Sequence, residues 1–257
     1  MTADDEQLAL FAPISLEEMA SIKLMNRTDV KYVTDIEHLH DFLRLATADY
    51  RIQEVEGKRV ASYRTVYLDT PARDMYIMHQ CGRRRRVKVR VRTYADSGVS
   101  FFEVKNKDNH GRTDKKRIPV EGSEKLDDSQ APTFLTKHST FDLQQLGPTL
   151  ESRFHRITLV NLRKTERLTI DTDISFHNLL TENTVDLKRT VIIELKRDGL
   201  TPSPARAMLA TLHIHPSGFS KYCIGSALTD SSLKQNRFKR NIMRILKNER
   251  MGTNKRP

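Results

Sequence analysis

The stretch Arg86-Val87-Lys88-Val89-Arg90-Val91-Arg92-Thr93-Tyr94 limits what this chain can fold into more than any other segment. Successive side chains of a strand point to opposite faces. One face is therefore Val87, Val89, Val91 and Thr93, and the other is Arg86, Lys88, Arg90 and Arg92. Four like charges on one face repel each other. At about 4 Å and an effective dielectric near 20, each close pair costs about 4 kcal/mol, less when solvated. The alternation returns elsewhere. Glu103, Lys105 and Lys107 lie opposite Phe102 and Val104; Arg167, Thr169 and Asp171 opposite Leu168 and Ile170; Glu194 and Lys196 opposite Ile193 and Leu195; Asp29 and Lys31 opposite Val30 and Tyr32. A wet face behind a core face accounts for any one such strand. Solvent faces, however, usually mix in Thr, Ser and Gln, whereas these are nearly pure Arg and Lys with a few carboxylates. Placed in one barrel, the charged faces converge inward and the aliphatic faces are covered by helices. A cationic interior needs an anion, and a chain of phosphates matches it: Arg offers forked donors and Lys mobile point charges. Carboxylates such as Glu194 suit a Mg²⁺-type ion, which binds through one or two of them plus substrate phosphates.

The rest of the chain fits that frame. Ser15 and Glu18 form a capping box at a helix start, and the lead-in runs to about residue 23. A strand over Thr28 to Val33 is followed by a helix from Asp35 to about Ala46, with Leu39, Phe42, Leu43 and Ala46 on one face. Further strands are expected at Tyr63 to Leu68, Arg84 to Tyr94, Phe101 to Lys107, Arg112 to Val120, Arg153 to Asn161, Arg167 to Asp171 and Thr190 to Lys196. Turns fall at Asp69-Thr70-Pro71, Ala95 to Gly98 and Asn109-His110-Gly111, and helical turns around Thr133 to Leu146. Pro202 to Leu212 begins with prolines as a helix can, and Ser232 to Arg250 reads as a basic helix. The expected fold is α+β: a closed antiparallel β-barrel of about eight strands with helices outside, one domain over residues 1–257, ending in a basic region from about residue 232.

Net charge is +11, which favours polyanionic partners without choosing among them. Cys81 and Cys223 stand far apart with no CxxC spacing, so neither a zinc site nor a disulfide framework is indicated, and a reducing compartment follows. The acidic N-terminus lacks a signal-peptide pattern, and no apolar run reaches about 18 residues. A cytoplasmic location is expected. The absence of Trp disfavours a large base-stacking platform, leaving Phe and Tyr for that work.

The ordered motifs resemble a known family. They are Asn26-Arg27-Thr28-Asp29-Val30-Lys31-Tyr32, Tyr63 to Thr70, Lys88 to Arg92, Phe102-Glu103-Val104-Lys105, Gly111 to Arg117, Phe154-His155-Arg156, Glu166 to Asp171, Ile193-Glu194-Leu195-Lys196 and Phe219-Ser220-Lys221-Tyr222. Together they resemble the VTC domain, the polyphosphate polymerase branch of the triphosphate tunnel metalloenzymes, from about Leu24 to Leu228. The resemblance implies a tunnel that binds a nucleoside triphosphate and a growing polyphosphate and passes on the γ-phosphoryl group with Mn²⁺ or Mg²⁺. Carried over by motif, Lys31, Arg90, Arg92, Lys105, Arg156, Arg167 and Lys221 match phosphate-binding positions, and Lys196 joins them from its strand face. Lys116 is the first choice in the Gly111 to Arg117 strand, with Lys115 or Arg117 as alternatives. Lys31, Arg90, Arg92 and Lys221 are the expected catalytic cations. Glu194 matches the metal-binding glutamate, with Asp29 and Glu103 as further metal candidates. Arg27-Thr28-Asp29-Val30-Lys31 stands where superfamily phosphatases and cyclases carry Glu-x-Glu-x-Lys, which points away from thiamine-triphosphatase and cyclase activity. Asp29 is shorter than the Glu usual at that place.

Other signals are weaker. His213 and His215 end a helix and make a poor metal pair. In Lys234 to Arg250, Phe238, Ile242, Ile245 and Leu246 recur at helical spacing beneath a basic face. That stripe docks the helix on the barrel, or the helix meets an anionic membrane surface or membrane partner, which would place the protein peripherally at a membrane's inner face. Alternatives to the polymerase are a non-catalytic polyphosphate or triphosphate sensor and a tripolyphosphatase. General nucleic-acid binding through the net charge predicts a steep salt dependence; no specific nucleic acid is expected.

Overall fold

The protein's structure, a computed structural model, describes residues 3–20, 22, 27–110, 112–199 and 201–251. Asn26 and Gly111 of the motifs, and residues 252–257 of the basic C-terminal region, lie outside them. The elements run α1 (Ala3–Ala9), β1 (Ala12–Ile14), α2 (Leu16–Ala20), β2 (Arg27–Asp35), α3 (Ile36–Ala46), β3 (Tyr50–Gln53), β4 (Val60–Asp69), α4 (Asp74–Gln80), β5 (Arg86–Tyr94), β6 (Ser100–Lys107) and β7 (Thr113–Val120). There follow α5 (Ala131–His138), β8 (Gly147–Asn161), β9 (Glu166–Asn178), β10 (Thr184–Leu187), β11 (Thr190–Asp198), α6 (Pro204–Thr211), α7 (Lys221–Thr229) and α8 (Lys239–Arg250).

Eight strands hydrogen-bond in the order β2-β11-β9-β8-β4-β5-β6-β7, every pair antiparallel. They correspond to the eight strands the alternation located. β1, β3 and β10 attach beside this path. The expectation of a closed barrel needs correction: among the described residues no ladder joins β2 to β7, so the sheet is not closed by hydrogen bonds. It is curled. Lys31 and Glu194, on β2 and β11, act electrostatically on Lys105 of β6 at the other end of the path.

Local chemistry sets the covering helices. Asp35 caps α3, its carboxylate accepting the His38 N–H at 3.0 Å. Leu39, Phe42, Leu43 and Ala46 of that helix are buried with Leu168, Ile170, Ile193 and Leu195 in one core cluster. On the opposite side Val89, Val91, Phe102 and Val104 are buried with Ala131 and Leu135 of α5. The aliphatic faces are thus sealed outward, which turns the charged faces inward. The Ser15–Glu18 capping box forms as expected, Glu18 N donating to Ser15 Oγ and Ser15 N to the Glu18 carboxylate.

Helix α7 lies against the inner face instead of outside it. Tyr222 stacks on Tyr67 with ring centroids 5.2 Å apart, and Gly225 passes directly over Phe176 and Leu150. A register irregularity between Arg153 and His155 makes this possible. There Asp173 takes φ 48°, and the alternation of β9 resets so that Asp171, Ile174 and Phe176 share a face. Helix α8 docks by Phe238, Ile242, Ile245 and Asn248, and Glu249 accepts the backbone N–H of Thr190 at 2.8 Å. Lys239, Arg240, Lys247 and Arg250 stay exposed beside Met243 and Leu246. Among the described residues no helix is long and apolar enough to cross a membrane.

Candidate functional site

The registers build the site strand by strand. Arg90 stands opposite Glu103, Lys88 opposite Lys105 and Arg86 opposite Lys107 on β5–β6. Lys105 then faces Lys115 on β7. On the far wall Arg156 pairs with Asp171, Arg167 with Lys196, Glu194 with Lys31 and Lys196 with Asp29. Every one of these lies on the inner face. Lys221 joins them from the first turn of α7, behind the N-cap Ser220, whose hydroxyl accepts from Lys88 Nζ at 2.8 Å.

Glu103, Asp171 and Glu194 each bridge two cations. Glu103 takes Arg90 Nη2 at 2.6 Å on one oxygen and Lys115 Nζ at 2.9 Å on the other. Asp171 accepts two bonds from Arg156, at 2.6 and 2.9 Å, and pairs with Lys221. Glu194 pairs with Lys31 at 3.1 Å and Lys196 at 3.6 Å. Lys88, Arg92 and Lys105 have no carboxylate at ion-pair distance among the described residues. The cations are sunk in the fold yet open to a ligand: the side chains of Arg90, Arg156 and Lys221 are 18%, 14% and 11% exposed.

Electrostatics follow from that crowding. Burial, with Arg156 and Lys31 adding repulsion, drives the Lys221 ammonium down to about 7 although Asp171 opposes it. Burial also brings Lys88 to about 8, with Lys31, Arg90 and Arg86 repelling, and Lys105 to about 8, with Lys88 and Lys31 repelling. Burial lowers Arg92 to about 10, beside Arg90 and Arg156, which leaves it charged at neutral pH. Burial pushes Glu103 upward, but Arg90, Arg92 and Lys115 overcome it and hold the carboxyl at about 2. Glu194 and Asp171 stay ionised for the same reason, burial being outweighed first by Lys31 and Arg156 respectively.

The expected residues are therefore brought together with one exception. Lys116 stands opposite the outward Val104 and pairs with Asp114 at 3.6 Å, so it faces away. Both alternatives hold inner places in that strand, Lys115 opposite Lys105 and Arg117 opposite Glu103. Arg167 lies at the end of the inner row, where it donates to the Met19 carbonyl at 2.9 Å. Lys88 and Asp171 belong to the site although the motifs did not single them out; the strand alternation already put both on the right face.

Among the described residues no three His, Cys, Asp or Glu cluster as a ready metal cage. Glu103 and Glu194 are alike in giving one oxygen to each of two cations, Arg90 and Lys115 for Glu103, Lys31 and Lys196 for Glu194. Glu194, with Asp29 on the adjacent strand, supplies hard oxygen donors, the kind Mg²⁺ or Mn²⁺ takes alongside substrate phosphates. The donor set fits such an ion.

An antiparallel sheet thus curls about a polycationic interior, with a helix seated against its inner face. The VTC domain family model matches residues 26–229, and the chain belongs to that family. A Hippeastrum protein classed as an adenylyl cyclase, and described as having a dominant triphosphatase activity, shares the fold at TM-score 0.51 and 14% identity, over 80% of this chain and 97% of that one. A Vibrio parahaemolyticus protein classed with adenylate cyclases aligns at TM-score 0.44 and 13% identity, over 78% and 97%. An inorganic triphosphatase, NE1496, aligns at TM-score 0.28 and 14% identity, over 70% and 78%. No curated protein sequence matches.

Proposed function

We propose that this protein is a divalent-metal-dependent phosphotransferase that extends polyphosphate from a nucleoside triphosphate inside the tunnel. The observation that supports this reading is the excess of inward cations over carboxylates, Glu103, Asp171 and Glu194 each being already shared by two of them. That interior is complementary to a chain of phosphates several units long and oversized for a single phosphate. Membership of the VTC family favours synthesis over hydrolysis, and Asp29 in place of a Glu-x-Glu start agrees with it.

Phosphoryl transfer asks mainly for alignment and for charge placed where charge develops. The terminal oxygen of the acceptor chain attacks the γ-phosphorus; that P–O bond forms as the bond from the γ-phosphorus to the β–γ bridging oxygen breaks, and the nucleoside diphosphate leaves with the electron pair. Arg90, Arg92 and Arg156 hold non-bridging oxygens by forked hydrogen bonds. Lys31, Lys105 and Lys221 supply point charges along the line of phosphates. Glu194 and Asp29 would hold the divalent ion, which when bound neutralises phosphate charge. Asp171 fixes Arg156 and Lys221 relative to each other, so donors from a strand and from α7 meet the same phosphate.

The direct test is incubation of the purified protein with ATP and Mn²⁺, read as long polyphosphate on a gel. Arg90→Ala and Lys221→Ala should each abolish the polymer while leaving the fold intact, since both side chains face the interior. Normal polymer from either variant would remove that residue from the mechanism. Phosphate release without polymer would replace synthesis by tripolyphosphatase activity.

A further inference from the structure

One row of the inner face is not cationic. Four rings follow one another across β8, β4, β5 and β6: Phe154 stacks on Tyr63 at 5.2 Å with planes 1° apart, Tyr63 meets Tyr94 at 5.0 Å, and Tyr94 meets Phe101 edge-on at 6.0 Å. The register keeps them on the phosphate side of the sheet, because Tyr63 stands opposite both Tyr94 and Phe154, and Phe101 opposite Arg92. Phe154 is buried, whereas Tyr63, Tyr94 and Phe101 are partly buried and keep some exposure. Guanidinium groups lie over the row: Arg156 5.0 Å from the Tyr63 centroid, Arg92 at 5.5 Å, and Arg117 4.3 Å from Phe101. Arg117 also reaches the Tyr94 hydroxyl at 3.4 Å.

Open aromatic rings do nothing for a phosphate chain, which arginine and lysine bind without them. They suit a flat, uncharged group attached to that chain. Position agrees. Tyr94 is two residues beyond Arg92 on one strand, about 6.6 Å, which is the reach of one ribose past the last phosphate. The opposite end of the same face is occupied by α7 through Tyr222 and Gly225, so a bulky terminal group has room at the ring end. Asp96 braces that end, accepting the Ser62 N–H at 2.8 Å and a bond from Lys58.

We propose that Tyr63, Tyr94 and Phe101, with Arg117, form the nucleobase subsite, and that the donor nucleotide lies with its base on this row and its phosphates pointing toward Arg90 and Lys88. Stacking on rings and guanidiniums is tolerant of base identity, since every base has a π-face; the subsite therefore retains the nucleoside without choosing strictly among bases. The inference rests on the triphosphate reading above.

Titration calorimetry with ATP and with tripolyphosphate, both with Mg²⁺, separates the two. Tyr94→Ala and Phe101→Ala should each weaken ATP by about tenfold, the scale of one base–aromatic stack, and leave tripolyphosphate unchanged. Retained tripolyphosphate binding also reports that the variant is folded. Equal weakening of both ligands, or of neither, overturns the subsite while the triphosphate reading stands. Failure of the unaltered protein to bind tripolyphosphate defeats that reading, and the subsite with it.

Discussion

Lys221 concentrates the electrostatic problem that this fold sets itself. Its ammonium is buried, repelled by Arg156 and Lys31, and held by Asp171 and by the Phe154 ring 4.0 Å away. Depression of a lysine below its ordinary value means that the unfolded chain binds a proton which the folded, empty protein has released. The empty protein therefore gains stability as pH rises from about 7, the folded value for Lys221, through about 8, that of Lys88 and Lys105, toward the ordinary lysine range. A polyphosphate reverses the balance, because its charge favours the protonated amines. Binding at pH 8 is accordingly expected to take up protons, and affinity to fall as pH rises from about 7 to 9. Titration calorimetry in buffers of different ionisation enthalpy reads this directly. Zero uptake, or release, would mean that these amines do not meet the ligand.

At the scale of elements, the long inner strands were legible because a period of two is hard to counterfeit over eight or nine residues. β5 needs nothing beyond its own sequence to sort Arg from Val. β7 was not legible in register: Lys115-Lys116-Arg117 puts cations on both faces, and only pairing with β6 decides that Lys115 points inward. Helix α7 was missed altogether. Its sequence KYCIGSALT is buried nearly all round, so it has no amphipathic stripe, and Gly225 lowers its helix propensity. The structure explains that glycine. A Cβ there would stand 2.5 Å from the Phe176 ring and 2.8 Å from Leu150. Gly225→Ala should lift α7 off the inner face, lowering stability by about 1–3 kcal/mol as overpacking does and weakening phosphate binding through the displaced Ser220 and Lys221. Thermal unfolding alongside tripolyphosphate titration checks both; an unchanged melting temperature with full affinity would show that α7 is not seated as described. The short strands β1, β3 and β10 escaped detection because three or four residues carry too little alternation to register.

For the molecule as a whole, enclosure does not depend on a continuous ladder. Among the described residues no ladder joins β2 to β7, and the outer edge of β2 takes a single bridge, Tyr32 to Pro216, yet the two walls are close enough for Lys31 to act on Lys88 and Lys105. Shared carboxylates, Glu103 on one wall and Asp171 and Glu194 on the other, offset the repulsion in the empty state, and α7 ties its inner end to both walls through Lys88–Ser220 and Lys221–Asp171. The basic outer features, Arg83 to Arg85 and the exposed side of α8, contribute to the net charge but not to this interior. The account therefore stands on where a phosphate chain goes. A crystal structure of the protein with tripolyphosphate and Mg²⁺ should find the phosphates between the walls, within hydrogen-bond distance of Arg90, Arg156 and Lys221 at once. Phosphates lying on Arg83 to Arg85 or along α8, with the inner ion pairs undisturbed, would contradict it.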